Sequence, residues 1–314
     1  MKILVCPLNW GLGHAARCVP LIRRMISGGH EVRIASDGYP LEFLRQEFPQ
    51  LQFVELPSYN IRYSSGKSQT VAMLANMPRI VSAVIREHRR LKRYLRSNSV
   101  DMVISDNRFG LWSKDVPSVY ITHQLMIKMP RGFQWLETAV WRMHQLFINK
   151  YTSCWIPDTN DKQNFSGDLA HKYPLPANAE FIGVLSRFEG FENTVPNTGY
   201  ETLCIVSGVE SQRSVFEKEL IERFRHSGGK TLIVRGQPQE EKKSEQIASV
   251  TLVPHLPTGD MAAHLLGAKK IVSRSGYSTI MDLATLNCLN KAEFIPTPGQ
   301  TEQEYLYDWI EALY

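Results

Sequence analysis

Short apolar segments rich in Ile and Val alternate along the chain with longer amphipathic stretches. This alternation is typical of βαβ units and of a parallel sheet covered by helices. Five candidate strands lie in the first half: KILVCPL, EVRIASD, QFVEL, DMVISD and SVYITH. Five more lie in the second half: TLCIVSG, TLIVRG, VTLVPH, KIVSR and AEFIPT. The pattern predicts an α/β protein in which each half of the chain builds its own doubly wound sheet.

The length of 314 residues exceeds the usual size of one hydrophobic core, so two domains are expected. Between the two sets of strands, the segment FIGVLSRFEGFENTVPNTGYET contains glycine, proline and asparagine without a sustained period. We therefore predict a boundary near Arg187, with domains 1–186 and 187–314. Because ligands of open parallel sheets bind beyond the carboxyl ends of the strands, the loops after the strands should line a cleft between these domains.

The composition is that of an ordinary globular protein. Hydrophobic residues make up 43% and charged residues 21%, which leaves no room for a long disordered tract. The apolar opening MKILVCPLNW is short and runs into a glycine turn, so we interpret it as a first strand. No segment approaches the roughly 20 apolar residues of a membrane span. Five scattered cysteines without a CxxC pair favour reduced thiols and a cytoplasmic location.

The net charge of +5 is concentrated on one predicted helix. Its basic residues are Arg86, Arg89, Arg90, Lys92, Arg93 and Arg96. A solvated helix face is the first interpretation of this cluster, and peripheral contact with an anionic membrane is the second. Nucleic acid is not an expected partner, because no reading motif accompanies the charge.

The first loop that carries candidate chemistry is NWGLGHAARC, between the first strand and the first helix. Gly11, Gly13 and Ala16 form a GxGxxA pattern and the next strand ends at Asp37, so a NAD-binding fingerprint is partly matched. That fingerprint does not require His14, which lies at the start of the helix. Imidazole is well suited to removing a proton near neutral pH. A capping or packing histidine is the alternative.

The second loop is DMVISDNRFG, where Asp106 directly follows a buried strand. This position lies at the same edge of the sheet as the first loop. A carboxylate there would hold one ring nitrogen of His14, fix its tautomer and stabilise the imidazolium. Asp after a strand is also a common turn former, and that alternative stays open.

The third loop is KKIVSRSGYSTIMDLATLN, again a strand, a glycine turn and a helix. Its polar and glycine positions are Arg274, Ser275, Gly276, Ser278 and Thr279. Hydroxyls and free amides at a helix N-terminus form a site for an anion, and Asp282 further along would accept hydrogen bonds from ribose hydroxyls. Helix capping is the alternative role for the Ser and Thr residues.

A strand end and a proline-glycine turn follow, in the segment FIPTPGQTEQEY. Its side chains suited to sugar hydroxyls are Gln300, Glu302, Gln303 and Glu304. A polar turn that caps the next helix is the alternative.

The segment RSGYSTIMD followed by PTPGQTEQEY resembles the donor-site stretch and the glutamine-bearing turn of GT-B glycosyltransferases, in the family of the peptidoglycan N-acetylglucosaminyltransferase. Weaker similarity lies in GLGH, in THQ, in FIGVLSR and in VSGVESQRS. The resemblance implies the GT-B fold, two Rossmann-like domains that face a cleft. It also implies a nucleotide-sugar donor, most simply a UDP-sugar, and no bound cofactor.

The resemblance assigns residues to a donor side and an acceptor side. On the donor side it implies that Ser275, Gly276 and Thr279 contact the diphosphate and that Asp282 contacts the ribose. It implies that His255, or less strongly Arg235, contacts the base and that Gln303 contacts the sugar. Ser207 and Gly208 belong to a second glycine-rich loop on this side. On the acceptor side it implies Gly11, Gly13, His123 and Gln124. The sequences around His14 and Asp106 resemble those around the catalytic dyad of the related UDP-glycosyltransferases.

The chain departs from the family in two places. Gly299 and Thr301 stand where relatives often carry His and Asp. The sequence ends at Tyr314, whereas this fold usually continues into helices that pack back across the first domain, so we expect those final helices to be lacking.

Together these features predict an inverting glycosyltransferase that moves a sugar from a UDP-sugar to an acceptor hydroxyl. No Asp-x-Asp motif occurs, so the helix start at residues 275–279 is predicted to stabilise the leaving group without a metal. The stretch PRGFQWLETAVWRMHQLFINKY would receive a lipid-linked or cell-envelope acceptor at the inner face of the membrane, although the spacing of Trp135, Trp141, Leu146 and Phe147 is also typical of a core helix. The alternatives are a nucleotide-sugar epimerase of the same fold, a NAD-dependent oxidoreductase, or a binding protein without turnover.

Overall fold

The computed structural model of the chain describes residues 1–59, 69–238 and 243–313. Its first half contains β1 (Lys2–Pro7), α1 (Gly13–Ser27), β2 (Glu31–Ser36), α2 (Gly38–Glu47), β3 (Gln52–Glu55), α3 (Gln69–Ser97), β4 (Met102–Asp106), β5 (Ser118–Ile121), α4 (Glu137–Ile148), β6 (Ser153–Ile156), α5 (Asp168–His171) and β7 (Ala179–Phe181). A 3-10 turn at Gln134–Leu136 precedes α4. The strands form one parallel sheet in the order β3-β2-β1-β4-β5-β6-β7.

The second half forms a separate sheet. Its elements are β8 (Thr202–Ile205), α6 (Gln212–Phe224), β9 (Thr231–Val234), β10 (Glu245–Ile247), β11 (Val250–Val253), α7 (Thr258–Gly267), β12 (Lys270–Ser273), α8 (Tyr277–Thr285), a 3-10 turn at Leu289–Lys291, β13 (Ala292–Phe294) and α9 (Thr301–Leu313). The strand order is β10-β11-β9-β8-β12-β13, parallel except for β10, which runs antiparallel to β11.

All ten predicted strands are confirmed, and so is the α/β class with one sheet in each half. Two inner strands, SVYI of β5 and TLIV of β9, are buried along their whole length, because helices cover both faces of a parallel sheet. Three short strands escaped prediction: SCWI of β6, AEF of β7 and EQI of β10. Both β7 and β10 have only three residues and lie at sheet edges, where no long apolar segment is needed.

The register of the central strands places the loops at one edge. Pro7 at the end of β1 lies opposite Asp106 at the end of β4. In the second sheet, Ser273 of β12 lies opposite Ile205 of β8 and Phe294 of β13. The carboxyl ends of neighbouring strands therefore coincide, and the loops after them emerge together.

Helices pack on both faces of the first sheet. On one face, Val19 of α1 and Phe43 of α2 share a core with Val5 and Ile34. On the other, Leu91 of α3 packs with Leu4 and Cys6. All five cysteines are buried and form no disulfide. No helix in the described part of the chain is long and apolar enough to span a bilayer.

The two halves contact each other directly. Ser278 Oγ of α8 donates to the Gly13 carbonyl at 3.0 Å, and a side chain at position 13 would lie 2.9 Å from that oxygen. Helix α9 returns to the first half, where Trp309 Nε1 donates to Asn164 O at 2.9 Å and Thr301 Oγ1 to Lys128 O at 2.7 Å. Helix α9 thus contacts the first half. Tyr314 lies outside the described residues. The boundary at residue 187 and the lack of further helices stay predictions.

Candidate functional site

A histidine and an aspartate meet at the carboxyl edge of the first sheet. His14, in the first turn of α1, places Nδ1 at 2.7 Å from Oδ1 of Asp106. The Asp106 carboxylate is fully buried, whereas the His14 side chain retains 14% exposure. The sheet register brings the two together, because the first loop and Asp106 follow adjacent strands. The imidazole therefore has one nitrogen held by a carboxylate and Nε2 available to a substrate.

A buried arginine that no sequence pattern indicated completes this group. Arg17 lies one helical turn after His14, and its Nε donates to Asp106 Oδ2 at 2.5 Å. Its Nη2 donates to Asp106 Oδ1 and also lies 2.9 Å from His14 Nδ1. Burial by itself raises the pKa of Asp106, but the charges and hydrogen bonds of Arg17 and His14 overcome that effect and lower it to about 2. Asp106 is therefore ionised throughout the physiological range.

The same arginine contacts His123, a predicted acceptor-side residue, which in turn contacts the second half of the chain. Arg17 Nη1 lies 2.9 Å from His123 Nδ1, and His123 Nε2 lies 2.8 Å from Oε1 of Glu302 on α9. The His123 ring stacks on Tyr277 of α8 at 4.1 Å between centroids. Gln124 Nε2 lies 3.3 Å from His123 Nε2. His123 and Gln124 therefore lie where both halves meet.

A cavity of about 90 Å³ lies between the halves next to this group. Eight of the predicted site residues line it: Gly11, Gly13, Ser207, Gly208, His255, Ser278, Thr279 and Asp282. The backbones approach closely here, since Gly11 has φ of +83° and a side chain at that position would lie 3.7 Å from Gly208. Tyr39, Arg187 and Arg213 also line the cavity and were not predicted. Of these, Arg187 and Arg213 lie in segments with a sequence signal, FIGVLSR and VSGVESQRS, whereas Tyr39 does not.

The first turn of α8 borders this cavity, where Ser278 and Thr279 are among the lining residues. Gly276 is the N-cap residue, and no side chain caps the helix among the described residues. The Ser278 hydroxyl instead donates to Gly13 O at 3.0 Å, and the Ser275 hydroxyl to Gln303 O at 2.8 Å. The capping alternative therefore does not describe these hydroxyls, and the first amides of α8 are positioned to bind an anion.

Other predicted donor residues build the turns around the cavity. Arg274 stacks over Phe216 at 3.8 Å and donates to the carbonyls of residues 295 and 296. Gln303 Oε1 accepts from the Thr297 amide at 2.9 Å. The remaining placements are Arg235 paired with Glu217 at 2.9 Å and Gln300 Nε2 at 3.5 Å from Gln212. None of these four, nor Ser275 or Gly276, is among the residues that line the cavity. Their ligand contacts stay predictions.

Asp282 is the acidic residue that lines the cavity. Its Oδ1 accepts from Ser186 Oγ at 2.6 Å, and Arg187 Nε lies 3.9 Å from its Oδ2. Burial raises the pKa of Asp282 to about 6, although Arg187 and Ser186 act in the opposite direction. This carboxyl therefore changes charge within the range used for assays.

We expect the stability of the protein to record this titration. Since the pKa in the folded state lies above the ordinary value of 3.8, native Asp282 binds a proton that the unfolded chain releases, and that contribution is lost as pH rises through about 6. Relative to Asp282→Asn, the wild type should lose about 1 kcal/mol between pH 5 and pH 7. Urea unfolding of both proteins at the two pH values measures this. Parallel stability profiles would contradict it.

The predicted dinucleotide fingerprint has no free acidic residue at its end. Asp37 is buried, and its carboxylate accepts from Arg108 Nη2 and, at 2.8 Å, from Asn9 Nδ2. Both oxygens are therefore occupied by the protein. This arrangement disfavours the NAD-dependent alternative, in which that carboxylate binds ribose.

The amphipathic stretch of the first half exposes its apolar side chains. Trp135 is 74% exposed and Leu146 is 68% exposed, while Met143 and Phe133 are about half exposed. In α4 the buried positions are instead Glu137, His144 and Ile148. The core-helix alternative is thus wrong for Trp135 and Leu146, because the helix packs its other face on the sheet.

Comparison with known proteins identifies the fold. No protein-family model matches the chain. Two curated relatives, from Methanosarcina mazei and Methanosarcina acetivorans, are described as uncharacterized glycosyltransferases; they are 20% and 21% identical, and each match covers 97% of this chain and 82% of the relative. The rhamnosyltransferase SpnG, solved with thymidine diphosphate, superposes with a TM-score of 0.55 at 14% identity, over 100% of this chain and 91% of that one. The chain has the GT-B glycosyltransferase fold.

Two further solved structures show how widely the GT-B fold is used. The glycosyltransferase SnogD from Streptomyces nogalater has a TM-score of 0.54 and 15% identity, over 100% of this chain and 95% of that one. The UDP-GlcNAc 2-epimerase from Neisseria meningitidis, solved with UDP-GlcNAc, has a TM-score of 0.51 and 13% identity, over 99% and 92%. The resemblance to GT-B glycosyltransferases is therefore confirmed. Because an epimerase shares the fold, reaction and substrate must be argued from the site.

Proposed function

We propose that this GT-B protein is a glycosyltransferase that moves a sugar from a UDP-sugar to an acceptor hydroxyl with inversion at the anomeric carbon. The observation that carries the proposal is the 2.7 Å contact between His14 and Asp106 beside a cavity lined by both halves. A carboxylate that holds Nδ1 leaves Nε2 of the imidazole to accept a proton. The glycosyltransferase description of the curated relatives agrees with this function.

In this mechanism, His14 Nε2 removes the acceptor's hydroxyl proton as the oxygen forms its bond to the anomeric carbon. The bond between that carbon and the diphosphate oxygen breaks, and UDP leaves from the opposite face. Asp106 stays ionised and stabilises the imidazolium through Nδ1. Every atom and proton is thereby accounted for without a further reactant.

The leaving diphosphate is assigned to the start of α8. Ser278 and Thr279 of its first turn line the cavity, no side chain of the described residues caps that turn, and a helix N-terminus favours negative charge. We propose that these groups stabilise the charge without a divalent ion. Among the described residues, no group of three or more His, Cys, Asp or Glu side chains is arranged to bind a metal. Turnover that is lost with a chelator and restored by Mn²⁺ would contradict this part of the proposal.

A ligand screen followed by a product assay tests the function. UDP or a UDP-sugar should raise the melting temperature, and free UDP should accumulate only when an acceptor is added. Accumulation of an isomerised UDP-sugar without acceptor would indicate the epimerase. Stabilisation by NADH and not by UDP would indicate the oxidoreductase, and UDP binding without turnover under any acceptor would indicate a binding protein.

For the acceptor we propose a lipid-linked molecule reached from an anionic membrane surface. Trp135 of the 3-10 turn before α4 and Met143 and Leu146 of α4 form an exposed apolar strip, and Arg131 and Arg142 of the same stretch are exposed as well. An apolar strip beside basic residues is the pattern of helices that lie in a bilayer interface. On the same face of the sheet, His88 of α3 stacks on Trp112 at 4.1 Å, and Lys150 after α4 lies over that indole. Since α3 and α4 cover the same face of the sheet, we include the arginines of α3 in the proposed membrane-facing surface.

Replacing apolar residues of this strip should weaken membrane binding. We expect Trp135→Ser and Leu146→Ser each to lower binding to vesicles of phosphatidylglycerol and phosphatidylcholine about ten-fold, because each large side chain that enters the interface contributes about 1.5 kcal/mol or more. Val195→Ser is the matched control, since Val195 is 83% exposed and lies outside α4. Cosedimentation measures binding. Equal losses in the strip variants and the control would contradict membrane contact.

A further inference from the structure

A continuous chain of polar side chains, buried at its centre and partly exposed at both ends, connects His14 to the second half. It runs from His14 to Asp106, from Asp106 to Arg17, from Arg17 to His123 and from His123 to Glu302. Arg17 is 2% exposed and His123 is 5% exposed. Buried hydrogen bonds between charged groups have few alternative partners, so their geometry is closely determined.

The donor and acceptor roles in this chain follow from the chemistry of arginine. A guanidinium only donates, so His123 Nδ1 must accept from Arg17 Nη1. A neutral imidazole has one proton, which must then lie on Nε2 and be donated to Glu302 Oε1 at 2.8 Å. A second proton on Nδ1 would face the Arg17 cation. Arg17 therefore determines both the tautomer and the neutral state of His123.

Two helices of the second half determine where the His123 ring lies. Tyr277 of α8 stacks on its face at an interplanar angle of 12°, and Glu302 of α9 accepts from its edge. Tyr277 is itself fixed, because its hydroxyl donates to Pro157 O at 2.6 Å. If α8 and α9 moved away from the first half, His123 would lose both contacts, and the ring that accepts from Arg17 Nη1 would no longer be held in this position.

We propose that Arg17 and His123 are positioning residues that make the orientation of the Asp106–His14 dyad depend on closure of the second half. This inference rests on the proposed function, because it assigns the dyad to a base. Arg17 holds both oxygens of Asp106, so a shift of the guanidinium moves the carboxylate that orients His14. The base is then correctly held only when α8, which carries the diphosphate site, and α9 are docked. Proton removal is thereby favoured in the arrangement in which α8 and α9 are docked on the first half.

The tautomer of His123 gives a test that needs no substrate. The charged and aromatic groups that face His123 are Arg17 from α1, Tyr277 from α8 and Glu302 from α9, with His14 and Asp106 beyond Arg17. The neutral amide of Gln124 lies 3.3 Å from Nε2. Burial lowers the pKa of His123, in agreement with a neutral ring. Imidazole ¹⁵N NMR, assigned with His123→Gln, should show Nε2–H and no titration between about pH 5.5 and 8. In Arg17→Lys, where one ammonium cannot bridge Asp106 and His123, the ring should titrate beside Glu302.

Kinetic measurements distinguish a positioning role of this chain of residues from a purely structural role. Glu302→Ala should lower kcat about 10- to 100-fold with a smaller change in KM for the donor, and Glu302→Gln should recover most of that loss, because its amide oxygen still accepts from Nε2–H. Glu311→Ala, an exposed change on the same helix, is the control and should leave kcat unchanged. Equal kcat for wild type and Glu302→Ala, or a proton on His123 Nδ1, would overturn the proposal. If no donor gives turnover, the NMR experiment still shows whether Arg17 donates to His123 Nδ1. Failure of this inference can therefore be distinguished from failure of the proposed function.

Discussion

Replacing His14 by alanine is expected to lower kcat about 100- to 10,000-fold while the stabilisation by UDP stays the same. The loss follows because His14 Nε2 is the group proposed to take the acceptor proton, and general base catalysis contributes rate factors of this size. Donor binding is assigned to α8 and the surrounding loops, so it should survive. The rate of UDP release with acceptor present, and the melting temperature with and without UDP, are the two measurements.

The control for this prediction is His226→Ala, since His226 is exposed at the end of α6 and lies far from the dyad in sequence and fold. Asp106→Asn is a less direct test, because it also removes the carboxylate that pairs with the buried Arg17. Part of its effect would therefore be loss of stability. A His14→Ala protein that turns over within a few-fold of wild type would exclude His14 as the base.

The dyad could be predicted from the sequence because sheet geometry determines it. His14 and Asp106 follow strands that read as continuous apolar segments, and the carboxyl ends of adjacent parallel strands meet at one edge. The same reasoning led to the start of α8. Periodicity and strand ends are local signals, so they are visible without coordinates.

Arg17 and Glu302 show what local signals leave out. An arginine on an amphipathic helix is usually solvated, and only the packing of α1 on β4 shows that this one is buried against a carboxylate. The placement of Glu302 depends on the path of α9 across the first half, which spans a sequence separation of 179 residues from His123. The sequence also did not predict which face of α4 is exposed, because an amphipathic pattern gives a helical period and does not identify the buried side.

Replacing Arg108 by methionine is expected to lower the free energy of unfolding by about 3–5 kcal/mol. Arg108 is fully buried, and its guanidinium donates to Glu87 Oε1 at 2.8 Å, to Asp37 and to the Pro7 carbonyl at 2.9 Å. Methionine fills a similar volume but leaves two buried carboxylates without their cation. Loss of one partner of a buried ion pair is therefore more costly than loss of the packing alone.

Arg89→Met on α3 is the matched control, because the same substitution at an exposed position should change stability by less than about 0.5 kcal/mol. Urea unfolding of the two variants and the wild type gives the comparison, and Arg108→Lys should fall between them, since an ammonium keeps the charge and loses the planar fork. The three acceptors of Arg108 lie at the ends of β1 and β2 and on α3, directly beneath the loop that leads to His14. A cost below about 1 kcal/mol would mean that these ends are held by hydrophobic packing, and that the position of the first loop does not depend on the buried charges.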